Sequence, residues 1–283
     1  MIKFQETCES MAPPKCGWQP EVAVESAEVL SNRAVNAEYK HLVVKCSALA
    51  ARAKPGQFFH LLCPGDGRIN PYFRRPMSVY GIQSKALKIE FMYKLAGAGT
   101  RALATLDVGD HLNIMGPLGR GFALSSSWRH IILVARGVGL ATLAPLVAAA
   151  RAENIEVTAI LSARSPDLLL SQALFQTLGA KVITVTDTQA NSTPAHVEQL
   201  LRALMTSSSC DALFTCGSAR LAKLLQKISK EFGIPGQIAM EQQMACGIGA
   251  CYCCVRDFNV EGVIVSQRVC FDGPVFDLNE AVL

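Results

Sequence analysis

Ile131-Ile-Leu-Val-Ala-Arg136-Gly-Val-Gly139-Leu-Ala-Thr-Leu-Ala-Pro145-Leu-Val-Ala-Ala-Ala150 is the stretch on which the fold turns. It is almost wholly apolar and about as long as a helix that spans a bilayer. Arg136, Gly137, Gly139 and Pro145 interrupt it. A membrane span has no use for these residues in its middle, whereas a buried strand that ends in a glycine turn and opens a helix needs a break at that place. The strand-turn-helix reading leaves no transmembrane segment.

The same rhythm continues outward. Strands are expected at Ile131 to Ala135, Val157 to Leu161, Lys181 to Val185 and Ala212 to Cys216, and helices at Ala141 to Ala152, Leu168 to Leu178, Pro194 to Met205 and Ala219 to Phe232. Alternating strands and helices make a parallel sheet, which binds ligands beyond the C-terminal ends of its strands. Arg136-Gly137-Val-Gly139 and Cys216-Gly217-Ser218 stand at two such ends. Before this region, from about Glu21 to Leu124, short strands alternate with turn signals such as Lys-Pro-Gly and Pro-Gly-Asp-Gly, the pattern of an antiparallel barrel. One helix, Thr100 to Leu106, is expected there, opening at Gly97-Ala-Gly99-Thr100, where unpaired N–H groups suit a phosphate. The expected layout is a multidomain β plus α/β chain: an extension over 1–20, the barrel over 21–124, a nucleotide-binding α/β domain over 125–238 and a small cysteine-rich domain over 239–283.

That last segment carries Cys246-Gly-Ile-Gly-Ala-Cys251-Tyr-Cys-Cys254, answered by Cys270. C-x4-C-x2-C with a fourth cysteine further on is the ligand spacing of a plant-type [2Fe-2S] centre, in which four thiolates hold two irons. Gly247 and Gly249 suit a loop that turns sharply and aims N–H groups at a sulfide-rich anion. Cys253 fits no four-ligand scheme better, and reads as a bystander or a fallback ligand. A zinc ribbon would want C-x2-C twice, and Cys251-x2-Cys254 supplies one such pair. The segment looks too short to fold unaided, so its metal cluster is expected to supply the missing stability.

Composition bounds the rest. With 283 residues, 50% hydrophobic and 18% charged, the chain is a well-packed globular protein of two or three domains. A net charge of +4 without any basic run gives no reason to expect nucleic acid as a partner. Eleven cysteines at this length indicate a reducing compartment, and with no signal peptide evident the expected location is cytoplasmic, with no membrane partner. Cys8 and Cys16 could bind a metal, but two unrelated thiols fit better. His41, His60, His111, His130 and His196 lack ligand spacing and are expected to be surface or hydrogen-bonded residues. No acid-base pair or nucleophile for substrate chemistry stands out, which points to a substrate handled elsewhere.

Together, Arg75-Pro76-Met77-Ser78 in a barrel, Gly97-x-Gly99-Thr100, the Gly116-Pro-Leu-Gly119 loop, the α/β domain and the cysteine segment resemble the ferredoxin–NADP reductase superfamily. Within it, Met244-Ala-Cys-Gly-Ile-Gly-Ala-Cys251 and Val269-Cys270-x-Asp-Gly-Pro-Val-Phe276 closely resemble the electron-transfer subunits of class 1B dihydroorotate dehydrogenases. The likeness runs from about Ala27 to the end. It implies FAD in the barrel, NAD(P)H as substrate in the next domain, and a [2Fe-2S] cluster exchanging electrons with a catalytic flavoprotein subunit in a hetero-oligomer. It further implies that Arg75 pairs with the FAD diphosphate, that Ser78 sits near the reactive edge of the flavin, that Gly99 and Thr100 hold phosphate, and that Pro76, Met77 and Gly97 belong to the same cofactor site. Physical reasoning agrees on the arginine and the helix start, the two ready-made partners of a diphosphate.

For the pyridine nucleotide the family pattern is Gly-Gly-x-Gly-x-Ala-Pro and Cys-Gly-Pro. Here Arg136 replaces the first glycine, Ala141-Thr-Leu-Ala144 precedes Pro145 and Ser218 replaces the proline, which leaves Gly137, Gly139, Cys216 and Gly217 as candidates. Arg136 must point away from the ligand or take the phosphate itself. Arg164 suits a 2′-phosphate without deciding between NAD and NADP. The alternatives are the same carriers serving another oxidoreductase or ferredoxin, with or without a working nucleotide site, and a redox sensor.

Overall fold

The computed structural model describes residues 21–65 and 72–283; Cys8, Cys16 and the Asp66-Gly67 end of one expected turn lie outside the described residues. Six strands, β1 (Ala23–Ala34), β2 (Tyr39–Lys45), β3 (Phe58–Leu62), β4 (Arg75–Gln83), β5 (Lys88–Lys94) and β6 (His111–Leu118), close into an antiparallel barrel in the order β1-β2-β5-β4-β3-β6. Alternation decides what fills it. Val29, Leu42, Phe59, Leu61, Phe91 and Ile114 point inward and are fully buried. Phe58 and His60 of β3 point outward and are buried all the same, because other parts of the chain cover that face. Helix α1 runs over Ala98–Leu103, earlier than expected. The Thr100 hydroxyl accepts hydrogen bonds from the N–H groups of Ala96 (2.9 Å) and Gly97 (3.1 Å), and so fixes the turn that starts the helix.

The second sheet contains β7 (His130–Arg136), β8 (Glu156–Ala163), β9 (Lys181–Thr186), β10 (Ala212–Cys216), β11 (Gly236–Ala239) and β14 (Val275–Asp277), in the order β14-β11-β10-β7-β8-β9. All its pairs are parallel except β11 with β14, which departs from the expected all-parallel sheet. Its helices are α2 (Gly139–Ala152), α3 (Gln172–Thr177), α4 (Pro194–Ser207) and α5 (Ala219–Phe232). Helix α3 is shorter than the spacing predicts, since Ser171 takes a positive φ of 63° and breaks the run into a separate turn at Pro166–Leu168.

Helix α2 explains the ambiguous stretch. It is buried on nearly every side because one side lies on the sheet and another against barrel strand β4. Its 14 residues extend about 21 Å, well short of a bilayer. Among the described residues no helix is long and apolar enough to cross a membrane.

The C-terminal segment forms a hairpin, β12 (Val255–Val260) with β13 (Val263–Arg268), before β14 joins the large sheet. Phe258 is fully buried with its ring centroid 4.2 Å from that of Phe276. These rings share one apolar cluster with Cys254, Cys270, Leu213, Ile238 and Phe58. The segment therefore has a core in common with the sheet and the outside of the barrel, and its stability does not rest on a metal alone.

Candidate functional site

A cavity of about 840 Å³ opens where the three parts of the chain meet. Its walls come from β4 (Arg75, Pro76, Met77, Ser78), from Thr100 of α1, from Val138, Ala141 and Thr142 where α2 begins, and from Met240 to Ala245 with Cys253. Volume and shape of lining suit a large organic ligand.

The two neighbouring arginines have different jobs. Arg74 lines the cavity too, but its guanidinium turns back onto the barrel, donating to the His60 carbonyl (3.3 Å) and to Asn113 Oδ1 (2.5 Å). Arg75 faces the cavity, held by the Phe73 carbonyl and lying so close to α1 that a Cβ on Gly99 would stand 2.8 Å from its Nε. It brings a cation and the first-turn N–H groups of α1 to one place, which fits a phosphate-bearing cofactor. Of Gly116-Pro-Leu-Gly119, expected as a loop, the first three residues end strand β6, and Gly119 meets backbone: a Cβ on it (φ 74°) would strike Pro274 and the Gly273 carbonyl, and Arg120 N–H donates to that carbonyl.

At the candidate nucleotide site the two strand-end turns touch each other. A Cβ on Gly139 would lie 2.5 Å from the Cys216 carbonyl oxygen and 2.8 Å from Gly217 N, and one on Gly217 would strike the Arg136 carbonyl. These glycines are required by turn-on-turn packing. Cys216 itself is buried on the α2 side of β10, where desolvation pushes its thiol up to about 12. A smaller cavity of about 210 Å³ adjoins Cys216, Gly217 and Ser218 and shares Met240 and Glu241 with the large one. Sequence reasoning passed over Glu241. It is open to solvent at the cavity mouth, yet the surrounding walls withhold enough water to raise its carboxyl.

Arg136 points away. Its guanidinium reaches along the sheet to Asp187, with Nη2–Oδ2 2.6 Å and Nη1–Oδ1 3.1 Å, and to Ser162 Oγ at 2.8 Å. That bidentate pair holds the Asp187 carboxyl below the usual carboxylate range. Arg136→Ala should leave nucleotide affinity within about threefold and cost about 1 kcal/mol of stability. Nucleotide titrations and thermal melts check this, and a tenfold loss of affinity would show that the side chain does meet the ligand. Arg164 is likewise engaged, donating to Glu38 of the barrel, which Lys94 also meets at 2.9 Å.

The cysteine loop passes beside the cavity. Gly247 and Gly249 adopt φ of 73° and 81°, and their turns let N–H groups face sulfur: Gly249 to Cys270 Sγ at 3.2 Å, Cys270 to Cys254 Sγ at 3.3 Å and Cys251 to Cys246 Sγ at 3.4 Å. The thiols gather two by two, Cys246 with Cys251 and Cys254 with Cys270. Burial raises the Cys270 thiol, as does its neighbour Cys254. Burial also acts to raise Cys246, but backbone N–H groups overcome it and leave that thiol at about 7. Among the described residues no three His, Cys, Asp or Glu side chains, the four cysteines included, gather round one metal-ion position. Two pairs of thiols are what a two-iron centre needs. Arg268 braces the loop: it donates to the Gly249 carbonyl at 3.2 Å, pairs with Asp272 at 3.0 Å and lies over the rings of Phe271 and Tyr252. Cys253 is exposed and lines the large cavity.

The histidines divide. His41 meets Glu90 at 2.8 Å, and His130 meets the Ser209 carbonyl and Thr158 Oγ1, as hydrogen-bonded histidines do. His60 departs from the expectation. It is fully buried, both ring nitrogens lack a partner, and burial lowers its pKa to about 4.

A closed antiparallel barrel joined to a mostly parallel sheet, followed by a cysteine-loop tail, has the fold of the ferredoxin–NADP reductases. Residues 241–282 match the iron-sulfur cluster binding domain of dihydroorotate dehydrogenase B. The electron transfer subunit of dihydroorotate dehydrogenase B (NAD(+)) from Desulforamulus reducens is 33% identical over 229 residues, covering 81% of this chain and 86% of that protein. Its counterpart from Streptococcus pneumoniae is 30% identical over 264 residues, covering 93% and 100%. Among solved structures, a chain from the NADH-dependent reduced ferredoxin-NADP oxidoreductase superposes with a TM-score of 0.77 at 23% identity, covering 92% of this chain and 91% of that one, and shares the fold. The ferredoxin-NADP+ reductase of Plasmodium falciparum does so at 0.59, with 14% identity over 73% and 89%. The chain belongs to the family of dihydroorotate dehydrogenase B electron-transfer subunits.

Proposed function

We propose that this chain carries electrons between NADH and a catalytic dihydroorotate dehydrogenase subunit, with which it forms a hetero-oligomer in the cytoplasm. The observation that carries the reading is the shared cavity: one space is lined by the barrel strand with Arg75, by the opening of α2 and by the approach to the cysteine loop. Electron carriers held in these three parts would meet across that one space. When bound, NAD(P)H supplies electrons in pairs, FAD takes them in pairs and releases them singly, and a [2Fe-2S] cluster passes them on one at a time.

The chain's own residues supply position and charge. Arg75 and the first turn of α1 neutralise a diphosphate, while Pro76 and Met77 wall the cavity and Ser78 offers a hydroxyl to the flavin edge. Met92, Val138 and Ala141 keep water from the meeting point. Cys246, Cys251, Cys254 and Cys270 hold the cluster, and Arg268 keeps the loop turned so that its N–H groups face sulfur. Two things support NADH over NADPH: the relatives' names specify NAD(+), and the Arg164 guanidinium is already paired with Glu38.

Rapid anaerobic mixing tests the reading. NADH should bleach the flavin absorbance of the purified, cofactor-loaded protein, cluster reduction should follow, and NADPH should need higher concentrations. A catalytic subunit should co-purify from the native source. If neither nucleotide bleaches the flavin, the chain is a conduit fed by another donor.

A further inference from the structure

His60 occupies a place that ordinary packing does not explain. Strand β3 alternates, so with Phe59 and Leu61 inside the barrel, Phe58 and His60 face outward toward the cysteine loop. The loop closes over the imidazole: a Cβ on Gly247 would stand 2.7 to 2.9 Å from its Cε1, Nδ1 and Nε2. The loop thus abuts the ring edge that carries both nitrogens, at a residue whose missing side chain permits the approach. On its flank lies Phe58, 5.6 Å between centroids, which shares its apolar cluster with Cys254 and Cys270. The ring is fully buried and neither nitrogen has a partner among the described residues. Leaving such a group unpaired is costly, and a phenylalanine would fill the same space without that penalty.

We propose that the His60 ring donates a hydrogen bond to the sulfur framework of the cluster held by Cys246, Cys251, Cys254 and Cys270, and thereby sets how readily that cluster accepts an electron. The proposal rests on the ligand assignment made above. Hydrogen bonds to cluster sulfurs stabilise the reduced form, which carries the extra negative charge, and so raise the reduction potential. The imidazole also fixes the loop to the barrel, so the group that tunes the cluster belongs to the strand paired with β4, where the flavin cavity begins.

The test uses the whole cofactor-loaded protein. In an EPR-monitored redox titration, His60→Phe should make cluster reduction roughly tenfold less favourable, ~59 mV lower for a one-electron couple, and His60→Gln, which keeps an N–H donor, should recover part of the shift. An intact cluster with an unmoved potential in His60→Phe overturns the proposal and leaves the ligand assignment standing. A wild-type protein without any two-iron EPR signal overturns both. Should His60→Phe fail to assemble a cluster, wild-type protein made with 15N-histidine decides: a weak nitrogen coupling to the reduced cluster that changes with the label supports the contact. A spectrum indifferent to the label, as when a buried water is the partner, sinks it.

Discussion

Cys254→Ser should abolish the cluster's visible absorption and stop electron delivery to the catalytic partner, while NADH still reduces the flavin and an artificial dye at close to the normal rate. Cys254 is buried, its sulfur accepts the Cys270 N–H, and it shares one side of the loop with Cys270. A serine there offers a harder oxygen ligand of much lower acidity, in a place where backbone geometry is already set for sulfur. The large cavity takes its cation from β4 and further walls from α1 and α2, with only Cys253 and the approach to the loop coming from the cysteine segment, so most of it should survive. Cys253→Ser is the matched control. Its thiol faces the large cavity, and its loss should leave the absorption nearly intact. The ligand assignment fails if Cys253→Ser bleaches the centre and Cys254→Ser does not.

What the sequence made legible followed from period and spacing. Strand alternation located the barrel, and the rhythm from Ile131 onward located the sheet, because both patterns are local consequences of which face meets the core. The cysteine spacing was legible for the same reason: C-x4-C-x2-C fits within one loop. Contacts between distant segments were not legible. Arg136 looked as though it must crowd a ligand or bind it, and only the position of Asp187, at the end of a strand 51 residues on, shows where the guanidinium goes. Gly139 and Gly217 looked like ligand glycines but are also needed where two turns meet backbone to backbone. His60 looked bland because nothing beside it in the chain reveals that Gly247 will cover it. The edge strand β14 escaped notice for want of length, since three residues carry no period.

Arg75→Ala should release FAD. The guanidinium faces the large cavity from the start of β4, tied to a backbone carbonyl and not to a carboxylate, so its charge remains available to a diphosphate. Loss of one charge-assisted contact of this kind costs roughly 1.5 to 3 kcal/mol, about one to two orders of magnitude in affinity. Arg75→Lys should recover only part of it, because an ammonium keeps the charge but not the two-pronged fork. Gly99→Ala acts on the same contact from the other side, since its methyl would stand 2.8 Å from the Arg75 Nε and displace the side chain without deleting it. Its effect should have the same sign and be smaller. Arg74→Ala is the comparison: that residue lines the same cavity, but its guanidinium is engaged by Asn113 and the His60 carbonyl, so its loss should lower the melting temperature and weaken flavin binding less than Arg75→Ala does. The measurement is the flavin content of each variant after dilution and desalting, with the affinity then taken from FAD titration of the stripped protein. Full retention by Arg75→Ala would remove Arg75 from the diphosphate site, leaving the α1 N-terminus to hold the phosphates alone.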